Sequence, residues 1–236
     1  MPVKKGDFIL LDFIATIKDS GEVFDTTIEE RAKEAGIFRE DQIYEPMLVV
    51  VGQHWLLDAV EEALVGMSEG ETKVIEIPPE RAFGPRDPNK VRLIPLRRLR
   101  RYGIEPEVGK TIEYEGQIGT ILWVGSGRVQ VDFNHHLAGK TLVYELTVRK
   151  IVEELSDKLF YLFKKWLAQP IEQSDVQIVI EEDSATLQLS PKVYNIPDLQ
   201  RRKIGFVKDV LRLIPDLNEI RFLEVHKRPE SRSKQV

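Results

Sequence analysis

The sequence predicts an α+β fold in three parts: an antiparallel sheet wrapped on a short helix, a small β-rich domain inserted into that unit, and a C-terminal α-β-β-α-β domain. Three observations lead there. Strand-like segments flank a single short helical pattern in the first part of the chain. At Asp87 the texture changes to glycine-separated strand candidates, and long alternation resumes only at Thr141. From about Glu153 it changes again, to helix, two strands, helix and strand. The implied boundaries are residues 1–86 with 132–152 for the first unit, 87–131 for the insert and 153–236 for the last, with a disordered tail from about residue 228.

Each element has its own signal. Between Asp7 and Lys18, Phe8, Leu10, Ile14 and Ile17 mix alternation with continuous apolar runs, as in a strand covered on both faces. Asp19-Ser20-Gly21 turns the chain. Thr26 to Glu45 is a polar excursion with a helical turn around Ile28 to Ala35, and Met47 to Val51 restores a strand. Leu56, Leu57, Val60, Ala63 and Leu64 recur at helical spacing, ended by Gly66 and Gly70. The next strand is Thr72 to Ile77, stopped by Pro78-Pro79. Within the insert, a strand and the short basic helix LRRLRRYG precede the glycine-separated strands. In the last unit Ser156 is positioned to cap a helix carrying Leu159, Phe160, Leu162, Phe163, Trp166 and Leu167, terminated by Pro170. Strands follow at Val176 to Ile180 and Ala185 to Leu189, then a helix from about Asp198 to Leu213 and a strand from Glu219 to Val225.

Composition excludes several chemistries. The chain has 236 residues, 42% of them hydrophobic, and a net charge of −5, which is not the footprint of a general nucleic-acid binder. It has no cysteine, which removes disulfides, thiolate nucleophiles and cysteine-built zinc sites and fits a cytoplasmic protein. The N-terminal apolar run is interrupted by Asp12 and is too short and polar for a membrane span or signal peptide. No GxSxG, GxGxxG, P-loop or HExxH pattern occurs, and no cofactor or metal is expected. His135 and His136 are neighbours that a strand would point to opposite faces, so joint chelation needs a sharp turn. What remains is a set of apolar and aromatic residues at element ends beside turns: Phe13, Phe24, Met47, Val49, Leu56, Leu57, Phe83 and Tyr144. They read either as ordinary core or as the walls of a shallow apolar cleft.

Four ordered motifs decide the matter by likeness. GEVFDTT, VGQHWLLDAVEEALVGMSEGE, EIPPERAFGPRDP and VDFNHHLAGKTLVYELTV resemble the FKBP-type peptidyl-prolyl cis-trans isomerases in order and spacing, and specifically the SlyD-like branch with its insert-in-flap domain. The resemblance covers Val3 to about Val152; larger archaeal members carry C-terminal extensions. It implies an FKBP-like sheet, proline-isomerase activity on X-Pro bonds, and proline-containing peptides and unfolded or nascent proteins as partners. By position it assigns the pocket aromatics to Phe13, Phe24, Phe83 and Tyr144, the acidic partner to Asp25, and the pair whose backbone meets the bound proline region to Leu56 and Leu57. Met47, Val49, Val60, His135, His136 and Leu137 are expected around the substrate. Phe13 and Phe83 stand where the family often has tyrosine, and Val60 where small members have a tryptophan floor, which puts tight macrolide binding in doubt.

Alternatives stay open beside this reading. Ile118, Ile121, Leu122, Trp123 and Val124 form either a chaperone surface on the insert or that module's own core, so a chaperone or scaffold module with little isomerase activity is the competing function. On the basic helix Leu96, Leu99 and Tyr102 share one face opposite Arg97, Arg98 and Arg101, a solvated face rather than a nucleic-acid or ribosome contact. The Leu159 to Leu167 stripe is core, or pairs two chains into a homodimer. Either imidazole of the histidine pair touches substrate or merely belongs to a turn.

Overall fold

The computed structural model describes residues 1–226; the tail expected to be disordered lies outside them. Strand β1 (Phe8–Ile17) is central to the first sheet. It pairs antiparallel with β2 (Val23–Thr26), β3 (Met47–Val50) and β9 (Leu142–Val152), and β9 pairs with β4 (Thr72–Ile77). The short helices α1 (Glu29–Glu34) and α2 (Asp58–Leu64) lie in the connections between these strands. On one face Ile9, Leu11, Phe13, Ala15 and Ile17 meet Val60 and Leu64 of α2 together with Ile77, Leu142, Tyr144 and Leu146. Period-two alternation places these odd-numbered β1 residues on that face.

A second sheet interrupts the first between β4 and β9. It runs β5 (Val91–Pro95), β8 (Arg128–Asp132), β7 (Gln117–Gly125) and β6 (Thr111–Tyr114), all antiparallel. With α3 (Leu96–Arg101) it encloses its own small core of Ile94, Leu99, Ile112, Tyr114, Ile121, Val129 and Val131. Leu99 is fully buried as the helical spacing requires, whereas Tyr102, expected on the same face, is exposed and only touches Tyr114 edge-on at 5.1 Å. The helix ends at Arg101, so Tyr102 no longer follows its periodicity.

The last part holds α4 (Leu155–Leu167), β10 (Val176–Glu181), β11 (Ser184–Leu189), the short α5 (Pro191–Tyr194), α6 (Leu199–Leu213) and β12 (Glu219–Glu224). β10 and β11 form a hairpin, and β12 joins β11 in parallel after the helical crossover. Ser156 does not cap α4; the helix begins one residue earlier, with Glu154 preceding it and no side-chain cap. The helix is held instead by burial of Leu159, Phe160, Leu162, Phe163 and Leu167, so the apolar stripe is core.

That core is not confined to the last third. Phe8 and Leu10 of β1, Leu48 and Val50 of β3 and Val152 of β9 point away from the first core and into the one built by α4, α6 and β10–β12. Lys150 bonds Asp157 at 2.7 Å and Lys164 bonds Glu45 at 2.6 Å across the same junction. Among the described residues no helix is long and apolar enough to cross a membrane. Phe8→Ala, which empties a buried position of the shared core, should lower stability by about 3–5 kcal/mol. Because Phe8 belongs to the shared core, urea unfolding followed in the first sheet and in α4 should shift together; separate transitions would contradict a shared core.

Candidate functional site

The cleft lies where the β1–β2 end of the first sheet meets the turns at Phe83 and His135. Its geometry begins with polar residues. In β1, Asp12 is buried and bonds Arg149 at 2.5 Å. Its other oxygen accepts the Thr27 hydroxyl at 2.8 Å, and the Thr27 oxygen accepts the Phe13 N–H at 3.0 Å. The Thr26 hydroxyl donates to the Phe13 carbonyl at 2.8 Å. These buried bonds tie the Phe24-Asp25 segment to β1 at the level of Phe13, with every buried polar side-chain atom among the described residues satisfied.

The opposite wall depends on another set of bonds. Asp132 accepts the Asn134 backbone N–H at 2.9 Å and its side-chain amide at 2.7 Å, and pairs with Arg86 at 2.7 Å. Burial works against ionisation of Asp132, but the Asn134 bonds and Arg86 prevail and hold its carboxyl below the usual range. Asn134 also bridges the backbone N–H and carbonyl of Asp87, closing the two strands that lead to and from the insert. Gly139, at φ +76°, donates its N–H to the Gly84 carbonyl at 2.8 Å, and a Cβ there would come 3.1 Å from Arg86. This close approach brings the histidine turn against the Phe83 turn.

The result is a parallel stack of Phe83 on His135 with centroids 4.3 Å apart and planes within 3°. His136 follows at 4.5 Å. The His135 Nδ1 accepts the Leu137 N–H at 3.2 Å, fixing the ring within its turn. Burial and the neighbouring His136 lower the His135 pKa, favouring the neutral imidazole. Deeper in, Tyr144 packs on Phe13 at 6.0 Å and edge-on to Phe24 at 6.1 Å. Burial, then the charge of Asp25, push the Tyr144 phenol up to about 12.

The cleft has a volume of about 500 Å³, and Phe24, Asp25, Phe83, His135, His136 and Leu137 all line it. Phe13, Tyr144, Leu56 and Leu57, expected as pocket walls, do not themselves line it: Phe13 and Tyr144 lie buried in the core behind it, and Leu56 and Leu57 are half-buried against that same core. Met47, Val49 and Val60, expected around the substrate, do not line this cleft. Val49 and Val60 are fully buried, because their strand and helix turn them into the first core, and Met47 faces a separate groove against Tyr161 and Lys164 of α4. The polar excursion supplies residues that the sequence reading missed: Thr26, Ile37, Arg39, Gln42 and Tyr44 complete the wall. Phe38 stacks on Tyr44 at 5.4 Å and the Arg39 N–H donates to the Tyr44 hydroxyl at 3.0 Å, so the excursion is ordered by its own aromatics. Those two aromatics in an otherwise polar run were the available signal.

On the insert the exposed apolar set is narrower than expected. Ile118 is 70% exposed and Trp123 45%, with Leu122 also exposed. Ile121 is withdrawn from that surface: it is fully buried in the insert's own core, on the opposite face of β7 from Leu122. Val124 is half-buried against that core.

Asp25 remains accessible as a residue, but its carboxyl sits at the cleft mouth. Partial loss of hydration there raises its pKa, opposed by the Thr26 N–H at 2.9 Å and the charge of Arg39. A carboxyl with a raised pKa in the folded state favours folding most below its unfolded value near 3.8, and that contribution is lost as pH rises through the folded value. Asp25→Asn should accordingly gain a little stability over the wild type at neutral pH. The gain should shrink as pH falls through the folded pKa, as read by melting temperature against pH; a constant difference would show that Asp25 carries no such penalty.

Comparison with known proteins adds four findings. The family model described as "FKBP26, IF domain" matches residues 92–137, and "FKBP26_C-terminal" matches residues 155–227. The chain is 40% identical over 149 residues to a short-type peptidyl-prolyl cis-trans isomerase of Methanocaldococcus jannaschii, an alignment covering 63% of this chain and 94% of that protein. It is 29% identical over 163 residues to the FKBP-type peptidyl-prolyl cis-trans isomerase SlyD of Aeromonas hydrophila, covering 67% and 69% respectively.

Proposed function

The chain belongs to the FKBP-type peptidyl-prolyl cis-trans isomerases, and from that premise we propose that it rotates X-Pro bonds in the cleft between Phe24 and Phe83 and holds unfolded chains on its insert. The observation that carries the first half is the convergence of Phe24, Asp25, Phe83, His135 and Leu137 on one cleft, with Tyr144 and Phe13 behind it.

Rotation about a peptide bond must break amide resonance, a barrier of about 18–20 kcal/mol, and the uncatalysed X-Pro process takes tens of seconds or longer. The twisted bond has lost its delocalised dipole, so an apolar, water-poor surface favours it over the planar form that water solvates better. No nucleophile or proton donor is needed for rotation. The face of Phe83 turned away from His135 receives the proline ring, and His135 backs Phe83 as a neutral flat surface. Asp25 orients the peptide from the rim, and the backbone at Leu56 and Leu57 meets the bound proline region. Lowering the barrier by roughly 5 kcal/mol would accelerate the step by about three to four powers of ten.

The second half rests on the apolar residues that the insert leaves outside its own core. Ile118, Leu122 and Trp123 offer a face to unfolded segments, which raises the local concentration of proline-containing chain at the cleft. Residues 87–131 then act as the capture module of the isomerase unit. The cysteine-free composition supports a cytoplasmic setting. Exposed Ile204, Leu211 and Leu223 on the last part support a homodimer through that part.

Two measurements separate the halves. Phe83→Ala, whose side chain is 37% exposed and so tolerates truncation, should lose about tenfold or more in kcat/KM on a short X-Pro peptide while remaining folded. Full activity would remove the cleft assignment. Ile118→Glu with Trp123→Glu should leave that peptide rate unchanged and weaken suppression of aggregation of a refolding protein; unchanged suppression would remove the capture assignment.

A further inference from the structure

Between β3 and α2 the chain makes the loop 52–57, whose last two residues are the backbone contacts of the proposed reading. The loop is held from inside by one side chain. Glu61 of α2, buried, accepts four backbone N–H groups: Gly52 at 2.7 Å and His54 at 3.2 Å on one oxygen, Trp55 at 2.6 Å and Leu56 at 3.0 Å on the other. That arrangement forces His54 into the left-handed region at φ +56°, a conformation non-glycine residues rarely adopt and one that persists only where the surroundings over-determine it.

The residues on either side of His54 are gripped from the last part of the chain. Gln53 accepts a bond from Arg212 of α6, and Arg212 pairs with Asp209 at 2.8 Å. Asp209 accepts the indole N–H of Trp166 of α4 at 2.9 Å. Trp55 leaves the first core altogether and packs on the core of α4, with the Lys165 ammonium 4.1 Å from its ring centroid and 6.0 Å from that of Trp166. Lys165 as a residue reaches solvent, but its ammonium loses hydration between the indoles and its pKa is lowered, with Asp209 opposing. Three consecutive residues are thus divided between two cores: Trp55 to the last part, Leu56 and Leu57 to the first.

We propose that Lys165, Trp166 and Arg212 are positioning residues for the isomerase site: through Trp55 and Gln53 they hold the 52–57 loop in the strained shape that aims the Leu56-Leu57 backbone at substrate. The C-terminal extension is then part of the catalytic unit. This inference rests on the isomerase reading, and none of the three residues touches the cleft. Loosening the clamp lets the loop sample other backbone shapes, so the loss falls on substrate binding rather than on the turnover of bound peptide.

The test uses the full chain with Lys165→Met, which keeps the stem and removes the cation, and Lys165→Arg, which restores it. For Lys165→Met, KM for a short X-Pro peptide should rise about three- to tenfold with kcat nearly unchanged, the range set by the strength of a partly desolvated cation over an indole. Hydrogen exchange of the 52–57 amides should quicken while that of β1 and β9 does not, and Lys165→Arg should return both readouts toward wild type. An active wild type whose KM and loop exchange are unmoved by Lys165→Met overturns the clamp. Equal quickening in β1 and β9 would mean general destabilisation and also overturns it. An inactive wild type overturns the isomerase reading and, with it, the catalytic role proposed for these residues; loop exchange would still decide whether the clamp exists.

Discussion

Everything in this molecule hangs on strand β1 being covered on both faces. Odd-numbered residues from Ile9 to Ile17 build the first core and even-numbered Phe8 and Leu10 enter the second. A one-residue slip would exchange the two sets, so both cores fix the same register. Beyond Leu10 the last part of the chain no longer covers the strand's outer face, and Ile14 and Thr16 are only half-buried there. There Asp12 takes an outward position and is satisfied by Arg149 and Thr27. The change along one strand from doubly apolar to polar-bonded marks where the supporting interface stops and the cleft begins.

The first core and the buried polar bonds together set the walls of the cleft, and under the proposed function those walls need no reactive group. Phe24 and Asp25 are placed by hydroxyls of Thr26 and Thr27 bonded to the β1 backbone, and Phe83 and His135 by the close approach of Gly139 to Arg86. Rigid placement of flat apolar faces is what a twisted, dipole-poor transition state can use. The groups with perturbed ionisation fit that role: His135 is pushed toward neutrality, Tyr144 is kept protonated, and Asp25 carries a desolvation penalty. Partial desolvation of charge at a site costs stability, and here the enclosing cores supply the compensation.

The elements were largely legible because their signals are local. Strand β4 and helix α6 follow from alternation and helical spacing, and β1 was readable as doubly covered from its mixed pattern. The motifs carried Phe24, Asp25, Phe83 and the histidine turn to the cleft. What failed is what depends on long-range partners. Met47, Val49 and Val60 sit on the right elements but face elsewhere, since the facing of a residue on a short strand or helix is set by what packs against it. Arg39, Gln42 and Tyr44 come from a segment with no periodicity, ordered by one aromatic stack and one hydrogen bond. Ile121 and Leu122 are strand neighbours that part, Ile121 entering the insert's core and Leu122 facing solvent, while a register shift between Ile121 and Trp123 leaves Trp123 exposed as well.

The insert and the C-terminal part solve opposite problems with the same material. The insert closes a separate small core and joins the rest through polar contacts of Arg86, Asp87, Asp132 and Asn134. It can therefore present Ile118 and Trp123 to solvent without weakening the cleft, because no apolar residue is shared across that junction. The C-terminal part does share residues, from Phe8 to Trp55, and its packing is coupled to the loop beside the cleft. The division of apolar residues among three cores thus leaves the insert with a core of its own and sets the chain around Trp55 between the other two.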